Sequence, residues 1–246
     1  MKMTNPVFLF FTITMLAYFI KALTGFGNTL VMNSFLSVFK ENRLVTPVDL
    51  LLSLPTNAYL AWKNRRHINF KIVIPLSIAV ILGNIPGTLL LGKGSDHLLK
   101  VILGVVLILL ALEMQFHKSK ASNQKWRPEL FWLIGIISGV LMGLFGIGAL
   151  LAAAIDRFAG NRSEYRGNLC FVFIFDNIFR CLSYWWQSIL NWQIIKLSLV
   201  LLPAALLGMG LSSRMDLHLR DDHIRKGIQA LMAVSGVFLI INNLHP

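Results

Sequence analysis

Apolar runs long enough to cross a lipid bilayer recur along the whole chain, and no other feature constrains its fold as strongly. A bilayer-spanning helix needs about 20 mostly apolar residues, because roughly 30 Å of hydrocarbon is covered at about 1.5 Å per residue. Single spans of this kind are predicted at 44–62, 72–91, 98–116, 169–186, 194–211 and 224–241. They leave no stretch for a soluble domain, so the sequence predicts an all-α integral membrane protein, a polytopic helical bundle.

The composition favours the same class of protein. Hydrophobic residues make up 56% of the chain and charged residues 14%, whereas soluble domains average about 45–50% and about 25%. The net charge is +12, but the basic residues lie in short loops between apolar runs, where they report membrane topology rather than a nucleic-acid surface. We therefore expect the lipid bilayer as a partner, no nucleic acid, and a multi-pass location in the cell membrane.

Two longer apolar stretches are each interrupted by a glycine turn. They cover 7–39, interrupted at 24–28, and 130–158, interrupted at 143–148, and the tips of the turns are placed at 25–28 and 146–148. In lipid a helix breaks only where neighbouring protein or a watery cavity satisfies the freed backbone groups. Each stretch is therefore predicted to be a Gly-broken helical hairpin, either re-entrant or built from two full crossings.

The features around the glycine turns occur twice, in the same order. Asn57 lies near the position that matches Asn177, and the pattern Gly83-x-x-x-Gly87 lines up with 208–212. We therefore predict two homologous repeats, each a Gly-broken hairpin plus three transmembrane helices. They cover 1–120 and 121–246, with a polar linker at 117–127. Weak internal symmetry with paired broken segments is typical of secondary transporters and points to their binding site.

The loop charges favour one topology. If each broken stretch returns to its own side, one side of the membrane collects most of the loop Lys and Arg residues, whereas single crossings would divide them evenly. The positive-inside rule favours the first arrangement. Three further crossings are an odd number, so the second repeat would be inverted relative to the first, and the two hairpin tips would approach each other near the midplane.

The glycine turns are the first candidates for binding. Helix N-termini and exposed backbone N–H groups bind anions, and a new helix starting at Asn28 or Ala149 would offer such donors. Substrate binding is assigned on this basis to Gly25, Phe26, Gly27, Asn28, Gly146 and Gly148. Close helix packing is an equally good explanation for Gly146 and Gly148, and the better one for the glycines at 135 and 139.

Arg180 is the second candidate, because it lies near the middle of an apolar span. A charge at that depth costs roughly 2.5–3.5 kcal/mol and usually faces a cavity or a partner. Asp176 lies four residues earlier on the same helical face. The pair is either a structural ion pair or a cationic substrate contact whose charge Asp176 tempers. Asn57 and Asn177 would add amide donors, although structural hydrogen bonding explains them equally well.

Two further charged residues are candidates for coupling. Asp49 would serve as a proton-coupling carboxylate, but a position at the membrane interface beside Pro47 is favoured. Lys21 would add positive charge near the first hairpin tip, or its side chain would snorkel to the surface. Tyr184 and the neighbouring tryptophans fit an aromatic belt at the membrane interface. No nucleotide, zinc or nucleophile motif is present, so we expect no enzyme, no cofactor and no metal.

This pattern resembles the sulfite exporter TauE/SafE family of membrane permeases. The resemblance covers nearly the full length and is carried by the duplicated glycine turns, by Pro55 and Asn57 in the following span, and by the Ile68-Asn69-Phe70 step into a Gly-x-x-x-Gly span. It implies a secondary carrier for small anions such as sulfite, sulfonates and sulfoacetate, coupled to protons. Family members often carry further glycines where this chain has Asn28 and Ala149.

The leading interpretation is a secondary transporter of a small anion, such as a sulfur oxyanion, an organosulfonate or a carboxylate. The substrate would bind between the hairpin tips, with Arg180 as the cationic contact. A passive anion channel would use the same fold and charges. A membrane-embedded enzyme or an assembly subunit is disfavoured, because no buried catalytic constellation is evident. The oligomeric state stays open.

Overall fold

The computed structural model describes residues 6–116, 128–214 and 221–243, and every regular element within these ranges is helical. The α-helices, in chain order, are α1 Pro6–Thr24, α2 Asn28–Leu36, α3 Asn42–Lys63, α4 Phe70–Lys93, α5 Asp96–Phe116, α6 Pro128–Phe145, α7 Ala149–Asp156, α8 Arg162–Trp186, α9 Trp192–Arg214 and α10 Asp221–Asn243. A short 3₁₀ turn, Arg65–His67, precedes α4. The predicted all-helical class is confirmed, while the predicted linker at 117–127 lies outside the described residues.

Four of the described helices are long and apolar enough to cross a membrane. They are Phe70–Lys93, Arg162–Trp186, Trp192–Ser212 and Lys226–Asn243. On α4 the exposed side chains Ile74, Ile78, Leu82 and Ile85 follow one another at helical spacing. Such a stripe would be unfavourable in water but suits the hydrocarbon phase. The structure therefore supports a membrane protein, and helices are present at all six predicted single spans.

Both predicted helix breaks are present. α1 ends at Thr24 and α2 begins at Asn28, while α6 ends at Phe145 and α7 begins at Ala149. The backbone reverses through a positive φ of 88° at Gly25, 96° at Gly27 and 73° at Gly146. L side chains rarely adopt this conformation, so glycine is required at these positions. The new helices start at the residues that the sequence indicated.

The second limb of each hairpin is short. α2 has 9 residues and α7 has 8, which correspond to lengths of about 13 Å and 12 Å. Because the hydrocarbon core is roughly 30 Å thick, neither limb crosses it alone. This length favours limbs that enter the membrane part-way over pairs of full crossings.

The helices form two compact units. The first contains Met1–Asp49, Gly94–Lys118 and Trp192–Pro246. Within it α1 packs against α2 and α9, and α10 packs against α2 and α5. Glycines permit the closest approaches. A Cβ added at Gly104 on α5 would lie 2.7 Å from the carbonyl oxygen of Gly236 on α10, and the reverse contact has the same length.

The second unit contains Leu50–Lys93 and Ser119–Asn191. Within it α4 packs against α6 and α8, and α7 packs against the same two helices. A Cβ added at Gly87 on α4 would lie 3.0 Å from the Cα of Gly143 on α6, and one added at Gly139 would lie 3.0 Å from the backbone nitrogen of Asn84. These are backbone-to-backbone contacts, so the packing role expected for Gly139 is confirmed.

The two units share one packing pattern. In each, the first helix of a hairpin packs against the fourth helix of the other sequence half: α1 against α9, and α6 against α4. Each compact unit therefore contains helices from both predicted repeats. The repeat boundaries at residue 120 and the inverted orientation of the second repeat stay predictions.

Candidate functional site

A buried charge pair of the second unit lies on one face of α8. This helix begins at Arg162, where the Asn161 side chain caps it by accepting a hydrogen bond from the Glu164 amide. Further along, Asp176 and Arg180 are 1% and 4% exposed. The Arg180 Nε donates to Asp176 Oδ2 at 2.9 Å. The predicted pairing one helical turn apart is therefore present, inside the unit and away from its surface.

Further polar side chains hold this pair in place. Arg180 Nη2 donates to Asn177 Oδ1 at 3.0 Å, and the Asn84 amide from α4 donates to Asp176 Oδ1. Tyr184, which also hydrogen-bonds Arg180, donates its hydroxyl to the carbonyl oxygen of Gly143 at 2.7 Å. The network therefore connects α8 to α4 and to the last turn of α6, directly before the helix break.

Sequence reasoning missed two members of this network. Asn84 was not singled out, and Tyr184 was assigned to an interfacial belt. The structure corrects that assignment, because Tyr184 is 0% exposed while Trp185 and Trp186 are 73% and 79% exposed. The signal was available in the helical period, since Tyr184 lies four residues after Arg180 and eight after Asp176.

Two buried amide atoms of the network have no hydrogen-bond partner among the described residues. They are Asn177 Nδ2, a donor, and Asn84 Oδ1, an acceptor. An unsatisfied buried polar group costs about 1–3 kcal/mol, and such groups are usually explained by water, an ion or a functional role. Asn177 Nδ2 and the Arg180 guanidinium provide hydrogen-bond donors on the same turn of α8. An anionic oxygen would accept from Asn177 Nδ2, whereas Asn84 Oδ1 would need a donor.

The glycine turn of this unit has a clear packing role. Gly148 is buried, and an added Cβ would lie 2.5 Å from Cε1 and Cζ of Phe173 on α8. Gly146 instead owes its identity to its backbone, with φ 73°, and its amide donates to Met142 O at 2.8 Å. The packing explanation holds for Gly148. The substrate-binding assignment of both glycines stays a prediction.

The first unit has its own buried carboxylate. Asp49 is 3% exposed and accepts hydrogen bonds from Tyr18 Oη at 2.9 Å, Asn28 Nδ2 at 2.7 Å and Thr29 Oγ1 at 2.5 Å. The position at the membrane interface that the sequence favoured stays a prediction. The contacts tie α3 to α1 and to the first turn of α2, so Asn28 holds a carboxylate in this state of the protein.

Lys21 is buried in the same unit, with 1% of its side chain exposed. Its Nζ lies 5.2 Å from the centroid of the Tyr18 ring, within the range of a cation–π contact. The alternative in which this side chain snorkels to the surface is therefore wrong. A buried cation and a buried carboxylate share Tyr18 as a neighbour.

The remaining predicted site residues are placed as follows. Gly25 and Gly27 form the first helix break, and the Phe26 amide donates to Thr24 Oγ1 at 3.3 Å. Asn57 lies on α3 in the second unit, is 2% exposed, and its Oδ1 lacks a hydrogen-bond partner among the described residues. Arg180, Asp176 and Asn177 are brought together by direct hydrogen bonds. Asn57 is not joined to them by any bond that the structure shows.

Comparisons with known proteins agree with one another. The sequence profile of the family described as Sulfite exporter TauE/SafE matches residues 10–239. A probable membrane transporter protein of Methanocaldococcus jannaschii is 35% identical over 86 residues, which cover 34% of this chain and 32% of that relative. The chain thus matches about a third of the relative's length. No solved structure matches significantly.

Proposed function

The chain belongs to the sulfite exporter TauE/SafE family, and from that premise we propose that it is a secondary transporter that carries a small anion across the cell membrane. The substrate class proposed is a sulfur oxyanion, an organosulfonate or a small carboxylate. The observation that carries this proposal is the buried Arg180 beside an unpartnered amide donor, Asn177 Nδ2.

The chemistry of these groups suits an oxyanion. A guanidinium presents planar, fixed donors that match two oxygens of a carboxylate, sulfite or sulfonate group. Asp176 already accepts the Arg180 Nε–H, so the pair is close to neutral before substrate arrives. A bound anion would therefore be held by directed hydrogen bonds more than by net charge, which favours release as well as binding.

The helix break next to this site would couple anion binding to a conformational change. Tyr184 links α8 to Gly143 O, three residues before the glycine turn begins at Gly146. An anion that takes donors of Arg180 would alter the network that holds this turn. A ligand shifts an equilibrium between two conformations only through different contacts in each, and this network provides such contacts. Alternating exposure of the site to the two sides of the membrane is the transport mechanism proposed.

The first experiment measures uptake of radiolabelled sulfite into proteoliposomes, with and without an imposed pH gradient. Uptake above that of empty vesicles, stimulated by the gradient and by preloaded unlabelled sulfite, is expected of a proton-coupled carrier. Uptake without counterflow stimulation would identify a passive channel. Folded protein that moves no sulfite under any of these conditions would remove sulfite as the substrate.

The second experiment tests the site. Arg180→Gln should lower transport about 10- to 100-fold, because a hydrogen bond to a charged group contributes about 1.5–3 kcal/mol. Arg65→Gln is the matched control, since Arg65 is exposed and lies on the 3₁₀ turn.

A double variant separates binding from structure. Arg180→Gln combined with Asp176→Asn removes both charges of the pair and restores neutrality. If Arg180 only neutralises Asp176, the double variant regains transport. If Arg180 binds the anion, transport stays low although the protein remains folded. Recovery of transport would contradict the site assignment while leaving the family and the fold intact.

A further inference from the structure

The buried carboxylate of the first unit is not explained by anion binding. Asp49 lies inside a unit whose second buried charge, Lys21, is positive, and it accepts three hydrogen bonds from side chains of α1 and α2. These contacts hold α2 to α3 by the first turn of α2.

A polar stripe leads along α3 to Asp49. Asn42, Thr46 and Asp49 lie at positions i, i+4 and i+7, which is one face of a helix. Asn42 is 0% exposed and Thr46 is 1% exposed, and Asn42 Oδ1, Asn42 Nδ2 and Thr46 Oγ1 lack hydrogen-bond partners among the described residues. Buried polar atoms of this kind are usually satisfied by water.

The stripe starts at an exposed end of the helix. Asn42 is the first residue of α3, and the residues directly before it, 39–41, are exposed. From Asn42 to Asp49 the helix rises by about 10 Å. A few hydrogen-bonded water molecules on these side chains would connect the exposed helix end to the carboxylate.

We propose that Asp49 binds the proton that couples transport, and that this proton arrives along the Asn42–Thr46 stripe. The proposal rests on the proposed transport function. The chemistry is a single protonation: a carboxylate oxygen of Asp49 forms one O–H bond with a proton supplied by water at the exposed end of α3, its charge changes from −1 to 0, and no electron is transferred.

Protonation of Asp49 would weaken the contacts that hold the second limb of the first hairpin, α2. Asn28 and Thr29 belong to the first turn of α2, which follows Gly27 with φ 96°. A neutral carboxyl is a weaker acceptor than a carboxylate, and its new proton must itself be donated. The bonds from α2 would weaken, so proton binding and hairpin position are linked, and the linkage acts in both directions.

The other charged and titratable groups of the unit are placed as follows. Tyr18 of α1 donates to Asp49, Lys21 of α1 lies over the Tyr18 ring, and α2 carries no charged side chain. In α5, Asp96 pairs with Lys100 at 2.8 Å, while Arg43 of α3 donates to Gly94 O at 2.6 Å. His97 and Glu113 of α5, Lys196 of α9 and Lys226 of α10 are the remaining described charged or titratable groups on these elements.

The transport test compares Asp49→Asn with the wild type, using radiolabelled sulfite. The variant should retain counterflow, which needs no net proton movement, and should lose accumulation driven by a pH gradient by about tenfold or more. Asp156→Asn, an exposed carboxylate at the end of α7, is the matched control and should behave as wild type.

Three outcomes would overturn the proposal. The first is gradient-driven accumulation by Asp49→Asn equal to wild type. The second is loss of counterflow together with driven uptake in folded Asp49→Asn, which would make Asp49 part of the transport path rather than the proton site. The third is accumulation driven by a sodium gradient and not by a proton gradient.

If the wild type transports no sulfite, a measurement without substrate still tests proton binding at Asp49. Every carboxyl group that binds a proton contributes a C=O stretch to an infrared difference spectrum between acidic and neutral pH, so the spectrum of each variant is subtracted from that of wild type. The subtraction for Asp49→Asn should leave the C=O band of one buried carboxyl group, which the subtraction for the exposed Asp156→Asn should not reproduce. No remaining band for Asp49→Asn would refute proton binding at Asp49, independently of the substrate.

A separate variant tests the proposed proton route along Asn42 and Thr46. Thr46→Val keeps the side-chain shape and removes the hydroxyl, so the infrared band should remain while the initial rate of proton-driven uptake falls. Thr12→Val, at an exposed threonine of α1, is the control. An uptake rate in Thr46→Val equal to that of the control would refute the proposed route.

Discussion

Replacing Gly148 by alanine tests whether the second helix break is held by packing. An added Cβ at this position would lie 2.5 Å from two ring carbons of Phe173, whereas the backbone there, with φ −100°, is accessible to any L residue. The perturbation is therefore purely steric. Phe173 is itself 9% exposed, so its ring has little room to move away.

The expected magnitude follows from this crowding. Inserting one methyl group into a filled site typically costs about 1–3 kcal/mol, and we expect Gly148→Ala to fall in that range. Phe173→Leu removes both ring carbons that the new methyl group meets. The double variant Gly148→Ala with Phe173→Leu should therefore be more stable than Gly148→Ala alone by about 1 kcal/mol or more.

Gly27 provides the contrasting control. Its φ is +96°, and an added Cβ would meet its nearest neighbour, Ile20 Cγ2, at an ordinary 3.5 Å. Gly27→Ala should cost about 1–2 kcal/mol through backbone strain alone, and trimming Ile20 to alanine should not recover that loss. We therefore expect both substitutions to lower the stability, Gly148→Ala through steric crowding and Gly27→Ala through backbone strain.

The assay is reversible unfolding in mixed micelles, with the denaturing detergent as titrant and helix content as readout. Free energies are compared at a common detergent fraction. If Gly148→Ala is as stable as wild type, or if Phe173→Leu does not improve it, the packing assignment of Gly148 is wrong. Rescue of Gly27→Ala by Ile20→Ala would show that sterics, not φ, dominate the first break.

Three further variants can be measured by the same titration. Gly104→Val should lose about 1–3 kcal/mol, because its side chain would meet the backbone carbonyl of Gly236 at 2.7 Å; wild-type stability would argue against the close α5–α10 contact. Gly227→Ala should be neutral or stabilising by up to about 1 kcal/mol, since nothing lies within 4 Å of the added Cβ; a clear loss would show an unseen neighbour. Tyr184→Phe should cost about 1–3 kcal/mol by leaving the Gly143 carbonyl unsatisfied, and an unchanged stability would mean that water replaces the hydroxyl.

The helix breaks were predictable because their cause is local. A turn with positive φ needs glycine, and a new helix in lipid must start directly after the turn to satisfy its backbone. The residues around Gly25, Gly27 and Gly146 are therefore sufficient to place the ends of α1 and α6 and the starts of α2 and α7. The same locality explains why Asp176 and Arg180, one turn apart, were paired correctly.

The partners of the buried charges were not predictable in the same way. Asn84 and Asp176 are 92 residues apart, and Tyr18 and Asp49 are 31 apart, so their contacts depend on which helices pack together. The glycines at 135 and 139 were expected to pack against another helix, but the sequence did not identify α4 as that helix. Asp49 was favoured as interfacial because Pro47 lies beside it, whereas the close contact with α2 is what buries it.

The two hairpins differ in what their second limbs offer. α2 begins with Asn28 and Thr29, whose side chains both donate to Asp49. α7 runs Ala-Leu-Leu-Ala-Ala-Ala-Ile before Asp156, so its first turn presents only backbone N–H groups. A limb held through side chains to a carboxylate responds to the charge of that carboxylate, and hence to a proton. The first turn of α7 has no polar side chain. This limb is connected to its unit through the glycine turn, and the hydrogen bond from Tyr184 to Gly143, beside Arg180, lies just before that turn. Similar backbones are therefore held by different contacts in the two units, which is consistent with the proposed proton site in the first and the proposed anion site in the second.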